Sequence, residues 1–377
     1  MKTTLPRVEF ADALAAVATL TGGRTTKPIY NCVKLAVEGK TIELSGTDGE
    51  AGLRATVETI STKKAGQTVV HAGRLLEIVR ELSDVEITLE ADDRHCTIRS
   101  TGSSFKIYTQ NAADFPPVPG FDDDADLTVD LATIRDMIGL TLFAAARETG
   151  RYAINGVLWS KSGKKLNLVA TDGRRLAKAT ASLRDGKSAD FEAIVPSKSL
   201  NVFERVFQPP RDNAEWQVEI KVMPNQMLFR AGSRVLSTAL CEGNFPDYQK
   251  VIPTENDKTA RVVRSELQAA IRRANLLTTE ESRAVRLAFS KGQLVISSES
   301  PEQGEARIEI PVEYAGPPIE IGFNPLFVLD PLKTMSHESV GIDLKDHSKP
   351  GVFYGQDKND FLYVVMPVAL TTAPRPA

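Results

Sequence analysis

The sequence predicts an α+β fold made of three copies of one domain plan, each with two helices packed on antiparallel sheet. Three observations carry that expectation: an internal repeat, a helix pattern before and behind each copy, and segments of alternating polarity between them. At 377 residues the chain also exceeds what one ordinary hydrophobic core accommodates, so two or three domains are expected.

The repeat is read first, because missing one misreads the whole fold. The stretch Thr41 to Gly49 returns as Lys165 to Gly173, with Asp172 standing 124 positions after Asp48. A diverged third copy runs from Gln293 to Glu299. Ahead of the copies, Phe10, Leu14 and Val17, then Ile134, Met137, Ile138 and Leu142, then Leu267, Ala270, Ile271 and Ala274 keep the spacing of one apolar helix face. Behind them a second helix is expected through Leu75, Ile78, Val79 and Leu82, through Leu200, Phe203 and Phe207, and through Leu326, Leu329 and Leu332.

Those second helices also start in register, since Val195-Pro196-Ser197 follows His71-Ala72-Gly73 by 124 positions. The units close on Ala113 to Pro116 and Gly243 to Pro246, with Phe245 lying 130 positions after Phe115. Alternation of Phe105 and Ile107 with Lys106 and Tyr108, and of Gln217 and Glu219 with Val218 and Ile220, predicts half-buried antiparallel strands. The expected domains are residues 1–121, 122–252 and 253–370, followed by a Pro-, Thr- and Ala-containing tail over 371–377 that reads as disordered. Equivalent modules joined with a constant rotation curve, and a curve that meets itself closes a ring.

Hydrophobic residues at 42% and charged residues at 25% are a soluble globular composition. No apolar run reaches bilayer length, and Met1 to Phe10 lacks the apolar stretch of a secretory signal, so a cytoplasmic location is expected. Cys32, Cys96 and Cys241 are odd in number and widely spaced, which argues against a disulfide framework or CxxC metal site and for buried thiols. The net charge of −3, with an isoelectric point near 6.0, disfavours a tightly wrapped nucleic-acid complex. It leaves room for topological enclosure, which needs little contact affinity.

Catalysis has weak support. Gly22 to Pro28 lacks the spacing of a phosphate loop, and His71, His95, His337 and His347 form no HExxH or HxxxH pair. Asp48 and Asp172 could hold Mg²⁺ for a nuclease only with converging carboxylates, and they sit in different repeats. No metal or cofactor is expected. The rival readings are a repeat-built peptide-binding scaffold and a metal-dependent nuclease.

The run Ala170-Thr171-Asp172-Gly173-Arg174-Arg175-Leu176-Ala177 resembles the bacterial DNA polymerase III beta subunits, the sliding clamps. So do Gly22 to Thr25 with Pro28-Ile29, Asp114-Phe115-Pro116, Arg151-Tyr152 with Asn155-Gly156, Asn244 to Tyr248, Ile321 to Asn324, and Tyr363 to Pro367, in order along nearly the whole chain. The resemblance implies three DNA-clamp domains per subunit and a head-to-tail homodimer forming a pseudo-sixfold ring around double-stranded DNA, without sequence preference. It implies loading by an ATP-driven clamp loader, and clients such as the replicative polymerase alpha subunit that dock through a short peptide.

For that peptide pocket the resemblance assigns Ile154, Thr171, Gly173, Arg174, Arg175, Leu176, Pro246, Val251, Asn324, Val364, Met366, Pro367, Val368 and Leu370. An apolar groove with a polar rim suits one or two anchoring side chains, and methionine adapts to several. Taken without the resemblance, Tyr363 to Pro367 reads as a buried terminal strand, and Thr47-Asp48-Gly49 as a plain hairpin turn. The chain departs from the family at Ala153, where an aromatic is frequent, at Arg174, where histidine is, and at Ala369, where a basic residue is.

The cations expected to face DNA are Arg24, Arg74, Arg80, Arg147, Arg151, Lys198, Arg205, Arg264, Arg272 and Arg273, with Arg24 and Arg151 inside matched motifs. For the seam between subunits, an edge strand Ser104 to Tyr108 carrying Phe105 and Ile107, with Arg94, Arg99, Ile78 and Leu82, is expected to meet Glu302, Glu305 and Glu309 with Leu276 and Leu277.

Overall fold

The computed structural model describes residues 1–23, 25–147, 152–184, 188–209, 216–279 and 284–370. Among them are six α-helices: α1 Arg7–Thr21, α2 Ala72–Glu81, α3 Leu131–Thr141, α4 Ser197–Val206, α5 Arg264–Asn275 and α6 Pro325–Thr334. They fall two to a repeat, as the spacing predicts. Phe10, Leu14 and Val17 are fully buried on α1, and Leu267, Ala270, Ile271 and Ala274 on α5, so the 3.6-residue period points each apolar face inward.

Local chemistry sets the helix starts. His71 Nδ1 accepts the Arg74 amide at 3.3 Å ahead of α2, and Asn324 Oδ1 accepts the Leu326 amide at 3.0 Å ahead of α6, where Pro325 fixes the first helical φ. Two helix readings need correction. On α6 the buried stripe is Pro325, Val328, Leu329 and Leu332, at i, i+3, i+4 and i+7, and Leu326 falls one position off it and is exposed. Leu142 lies beyond α3 in a single 3₁₀ turn, Leu142–Ala144.

The chain forms two compact units: Met1–Arg135 with Lys198–Leu240, and Asp136–Ser197 with the chain from Cys241 onward. In the first unit the described strands make one 13-stranded sheet. Its order is Leu127–Asp130, Gln217–Val222, Gln226–Ala231, Arg234–Ala239, Ala51–Glu58, Thr41–Thr47, Cys32–Glu38, Gly66–His71, Ser103–Gln110, His95–Ser100, Glu86–Ala91, Lys2–Pro6 and Ser61–Lys64. The fourth and fifth of these strands come from different repeats and pair antiparallel, with Leu236 opposite Leu53 and Ser237 opposite Gly52. The approach is close enough to require glycine, since a Cβ at Gly52 would sit 2.7 Å from Val118 Cγ1 and 2.8 Å from Ser237 Oγ.

The second unit holds an eight-stranded sheet ordered Phe191–Pro196, Gly156–Ser162, Lys165–Thr171, Arg175–Ser182, Phe361–Val365, Gly351–Tyr354, Ser339–Leu344 and Lys258–Val263. Here too a strand of the middle repeat, Arg175–Ser182, pairs with one of the last, Phe361–Val365. A four-stranded sheet, ordered Gly304–Pro311, Gln293–Ser300, Val285–Ser290 and Ile319–Phe323, completes the unit.

Cys32 and Cys96 are buried, as expected, but Cys241 is partly exposed; none of the three is in a disulfide. No helix among the described residues is long and apolar enough to cross a membrane.

Candidate functional site

The repeated Thr-Asp-Gly turn is one hydrogen-bonded device used twice. Thr47 Oγ1 donates to the Ala51 carbonyl at 2.7 Å and accepts the Gly49 amide at 3.0 Å, while Asp48 Oδ1 accepts the Glu50 and Ala51 amides at 2.9 and 2.8 Å. Thr171 and Asp172 make the same four bonds to Arg175, Gly173, Arg174 and Arg175. Gly49 and Gly173 both take positive φ, 96° and 84°, which a side chain would strain.

The two copies differ in what the second carboxylate oxygen holds. Asp172 Oδ2 accepts from Arg175 Nε at 2.9 Å, and the same guanidinium donates to Asp330 at 2.7 Å and to the Phe143 carbonyl at 2.7 Å. Arg175 also lies over the rings of Phe143 and Phe327 and is 7% exposed. Its Nε, Nη1 and Nη2 are thus each engaged inside the fold at this expected pocket position. Thr171 is 8% exposed, with its hydroxyl bonded within the turn.

Beside that turn lies an apolar cluster that includes several of the expected pocket residues. Leu176 and Val364 stand opposite each other in the sheet and share a buried cluster with Leu158, Val169, Ile194, Val352, Tyr354 and Leu362. Ala153, Cys241, Phe245, Tyr248 and Ile252 pack against the cluster while remaining partly exposed. Val251, Met366 and Val368 are exposed at 47%, 41% and 36%. Ile154 is buried; Pro246, Gly173 and Arg174 are exposed, and Pro367 and Leu370 are half-buried.

The chain's last described segment is fixed by backbone bonds. The Met366 amide donates to the Arg174 carbonyl at 3.0 Å and the Val368 amide to the Gly322 carbonyl at 2.8 Å. A Cβ at Gly322 would sit 2.6 Å from the Val368 oxygen and 2.7 Å from Leu370 Cδ2, so only glycine admits this path. Asn324 serves as the α6 cap, which commits its side-chain oxygen. Sequence reasoning left Cys241, Phe245, Tyr248 and Ile252 out of the site. The run Asn244 to Tyr248 was visible, but as a unit boundary; nothing local shows that Phe245 and Tyr248, with rings 6.5 Å apart, turn back onto the cluster.

The expected DNA-facing cations separate into groups. Arg74, Arg80, Arg147, Arg205, Arg272 and Arg273 are exposed, with Arg74 paired to Glu77 at 3.4 Å. Arg264 is a correction: its Nε and Nη1 donate to the His337 and Leu332 carbonyls, each at 2.9 Å, so it caps the end of α6. Arg24 and Arg151 lie outside the described residues. Lys198 and Arg205 line a cavity of about 540 Å³ in the first unit, together with Thr25, Tyr30, Asn201 and Asp48. Among the described residues no group of three or more His, Cys, Asp or Glu is arranged to hold a metal.

The two strands expected at the seam present open flanks. Residues Ser103 to Tyr108 pair only with His95–Ser100, and the neighbouring strand on the other side reaches only Thr109 and Gln110. Phe105 and Tyr108 are 39% and 80% exposed, and Ile107 is half-buried, so the expected alternation of burial is absent within one chain. Gly304–Pro311 ends its sheet, with Glu302, Glu305 and Glu309 exposed, and Leu276 is 74% exposed with Leu277 half-buried. Arg94 and Arg99 are exposed, Arg99 lying 3.4 Å from Glu90. Ile78 is half-buried. Leu82 is corrected, being 7% exposed and part of the chain's own core.

Three family profiles match in succession: the DNA polymerase III beta subunit N-terminal domain over residues 1–119, the central domain over 128–247 and the C-terminal domain over 249–369. The beta sliding clamp of Escherichia coli K12 is 34% identical, over 98% of this chain and 100% of that protein. The crystal structure of the DNA polymerase III subunit beta from Pseudomonas aeruginosa superposes with a TM-score of 0.91 at 32% identity, covering 98% of this chain and all of that one. The clamp of Bartonella birtlesii, solved bound to griselimycin, gives 0.90 at 29% identity over 98% of this chain and 100% of its own.

Proposed function

The chain belongs to the DNA polymerase III beta subunit family, the sliding clamps, and from that premise we propose how its surfaces divide the work. It is a processivity clamp of DNA replication, built of three clamp domains, and acts through binding DNA and polymerase without a catalytic centre of its own. In the proposed assembly two chains meet head to tail, with domains at residues 1–121, 122–252 and 253–370, and close around duplex DNA in the cytoplasm. The open flank at Ser103 to Tyr108, with Arg94 and Arg99 near it, meets the flank at Gly304–Pro311 and its glutamates, extending one sheet into the next subunit.

Clients dock on the apolar surface floored by Leu176 and Val364 and rimmed by Val251, Pro246, Arg174 and Met366. The observation that carries this reading is three exposed large apolar side chains, Val251, Met366 and Val368, beside a buried apolar cluster against which Phe245, Tyr248 and Ile252 pack while partly exposed. The polymerase alpha subunit and the clamp loader are the expected clients. The exposed cations contact phosphate rather than bases, so the grip is weak, salt-sensitive and independent of sequence.

The test is topological. The clamp is loaded by a clamp loader onto nicked circular DNA, which is then linearised. Release on cutting supports enclosure; retention on linear DNA would indicate surface binding and end the ring reading.

A further inference from the structure

The cavity bearing Lys198 and Arg205 also contains an acid that the DNA-facing role does not use. Asp48 is fixed by its own turn, with Oδ1 accepting two backbone amides, and its Oδ2 lies 2.7 Å from Lys198 Nζ. Glu50 Oε2 stands 3.5 Å from the same ammonium. Tyr30 backs the turn, since a Cβ at Gly49 would be 3.0 Å from its hydroxyl, and Lys27 lies over its ring at 5.7 Å. Asp48 is therefore held in place, whereas Lys198, with 59% of its side chain exposed, remains reachable from solvent. Arg205, on the same helix α4, is exposed and has no ion-pair partner among the described residues.

An ammonium already paired with a fixed carboxylate must exchange that partner for a phosphate before it can release a DNA counterion. On the reading that this cavity faces DNA, we propose that Asp48 is a built-in competitor for DNA phosphate at Lys198, keeping one contact of the clamp exchangeable so that the ring slides. Burial opposes ionisation of Asp48, but the Ala51 amide, the Lys198 hydrogen bond and the Glu50 amide together hold its carboxyl below the usual range. The competitor therefore stays charged at neutral pH. The matching aspartate of the middle repeat, Asp172, has its cation buried in the fold and cannot play this part.

The test is a double-mutant cycle on the full-length clamp, reading affinity for a primed duplex against salt and diffusion of loaded clamps. Asp48→Ser leaves a side-chain acceptor for the turn and removes the charge. It should tighten DNA binding about threefold or more at low salt, steepen the log–log salt slope by about 0.9 and slow diffusion. In a Lys198→Gln background the same change should have no effect. An unchanged affinity and slope, or an equal gain without Lys198, would overturn the proposal. Should Asp48→Ser unfold the chain, Lys198→Gln and Arg205→Gln decide it, because the paired lysine should lose less affinity than the unpaired arginine. Linearisation of the loaded circle reports on DNA enclosure separately, so failure of that reading and failure of this one give different results.

Discussion

The Arg175 guanidinium donates to the Asp330 carboxylate at 2.7 Å across 155 positions of sequence, tying the Asp172 turn to helix α6. Asp172 and Asp330 have side chains only 19% and 23% exposed, so removing the cation takes an ion-pair partner from two partly buried carboxylates, leaving Asp330 with Lys333 and Asp172 with its turn amides. Arg175→Met should cost about 3 kcal/mol of stability, read by chemical denaturation, and Arg175→Lys should recover little, because one ammonium cannot reproduce the three-way fork. A variant as stable as the parent would show that the network contributes nothing.

Met366 is the cleanest probe of the proposed client docking. It is 41% exposed, while its amide is already anchored on Arg174. Met366→Asp should weaken binding of a client peptide at least tenfold by fluorescence anisotropy, with melting temperature and assembly mass unchanged. A charge at Leu176, 3% exposed, would unfold the surrounding cluster and report on stability instead.

At the proposed seam, Phe105→Glu places a charge on an exposed position of an open strand flank and opposes the glutamates around Gly304–Pro311. The expected result is a shift from dimer to monomer mass in analytical ultracentrifugation at micromolar concentration, with the monomer still folded. Persistence of the dimer would move the seam elsewhere.

Burial pushes the Cys96 thiol up to about 12 and raises that of Cys32. An unfolded thiol ionises near about 8.5, so the folded state keeps the Cys96 proton over that interval. The stabilisation is full below about pH 8.5 and is lost as pH climbs toward about 12. Cys96→Ala should flatten that alkaline decline in a pH series of denaturation midpoints. At pH 8 a thiol reagent should modify Cys241 first in the native chain, and saturating client peptide should slow that reaction, since Cys241 packs against the cluster proposed to receive clients.

The helices were legible because a face repeating every 3.6 residues needs only local spacing, as Leu267, Ala270, Ile271 and Ala274 show. Strand pairing was less so. A period of two says which way Leu53 and Leu236 point but not that they stand opposite each other, and their pairing joins segments from different repeats. At the candidate site, the sequence grouped Leu176, Val364 and Met366, and the fold sets Leu176 opposite Val364 with the Met366 amide bonded to Arg174. It could not separate Arg174, exposed, from Arg175 next to it, whose partners lie in distant segments. For the same reason Asp48 read as an ordinary turn: its lysine comes from the next repeat.

Because Arg234–Ala239 completes the flank of Ala51–Glu58, the first repeat of this chain does not complete its own sheet. A fragment ending near residue 121 would leave that strand with bare amides and carbonyls along one side, an invitation to stack with its own kind. Excising or swapping single repeats should therefore yield aggregates, whereas cuts that respect both halves of a shared sheet should yield soluble pieces.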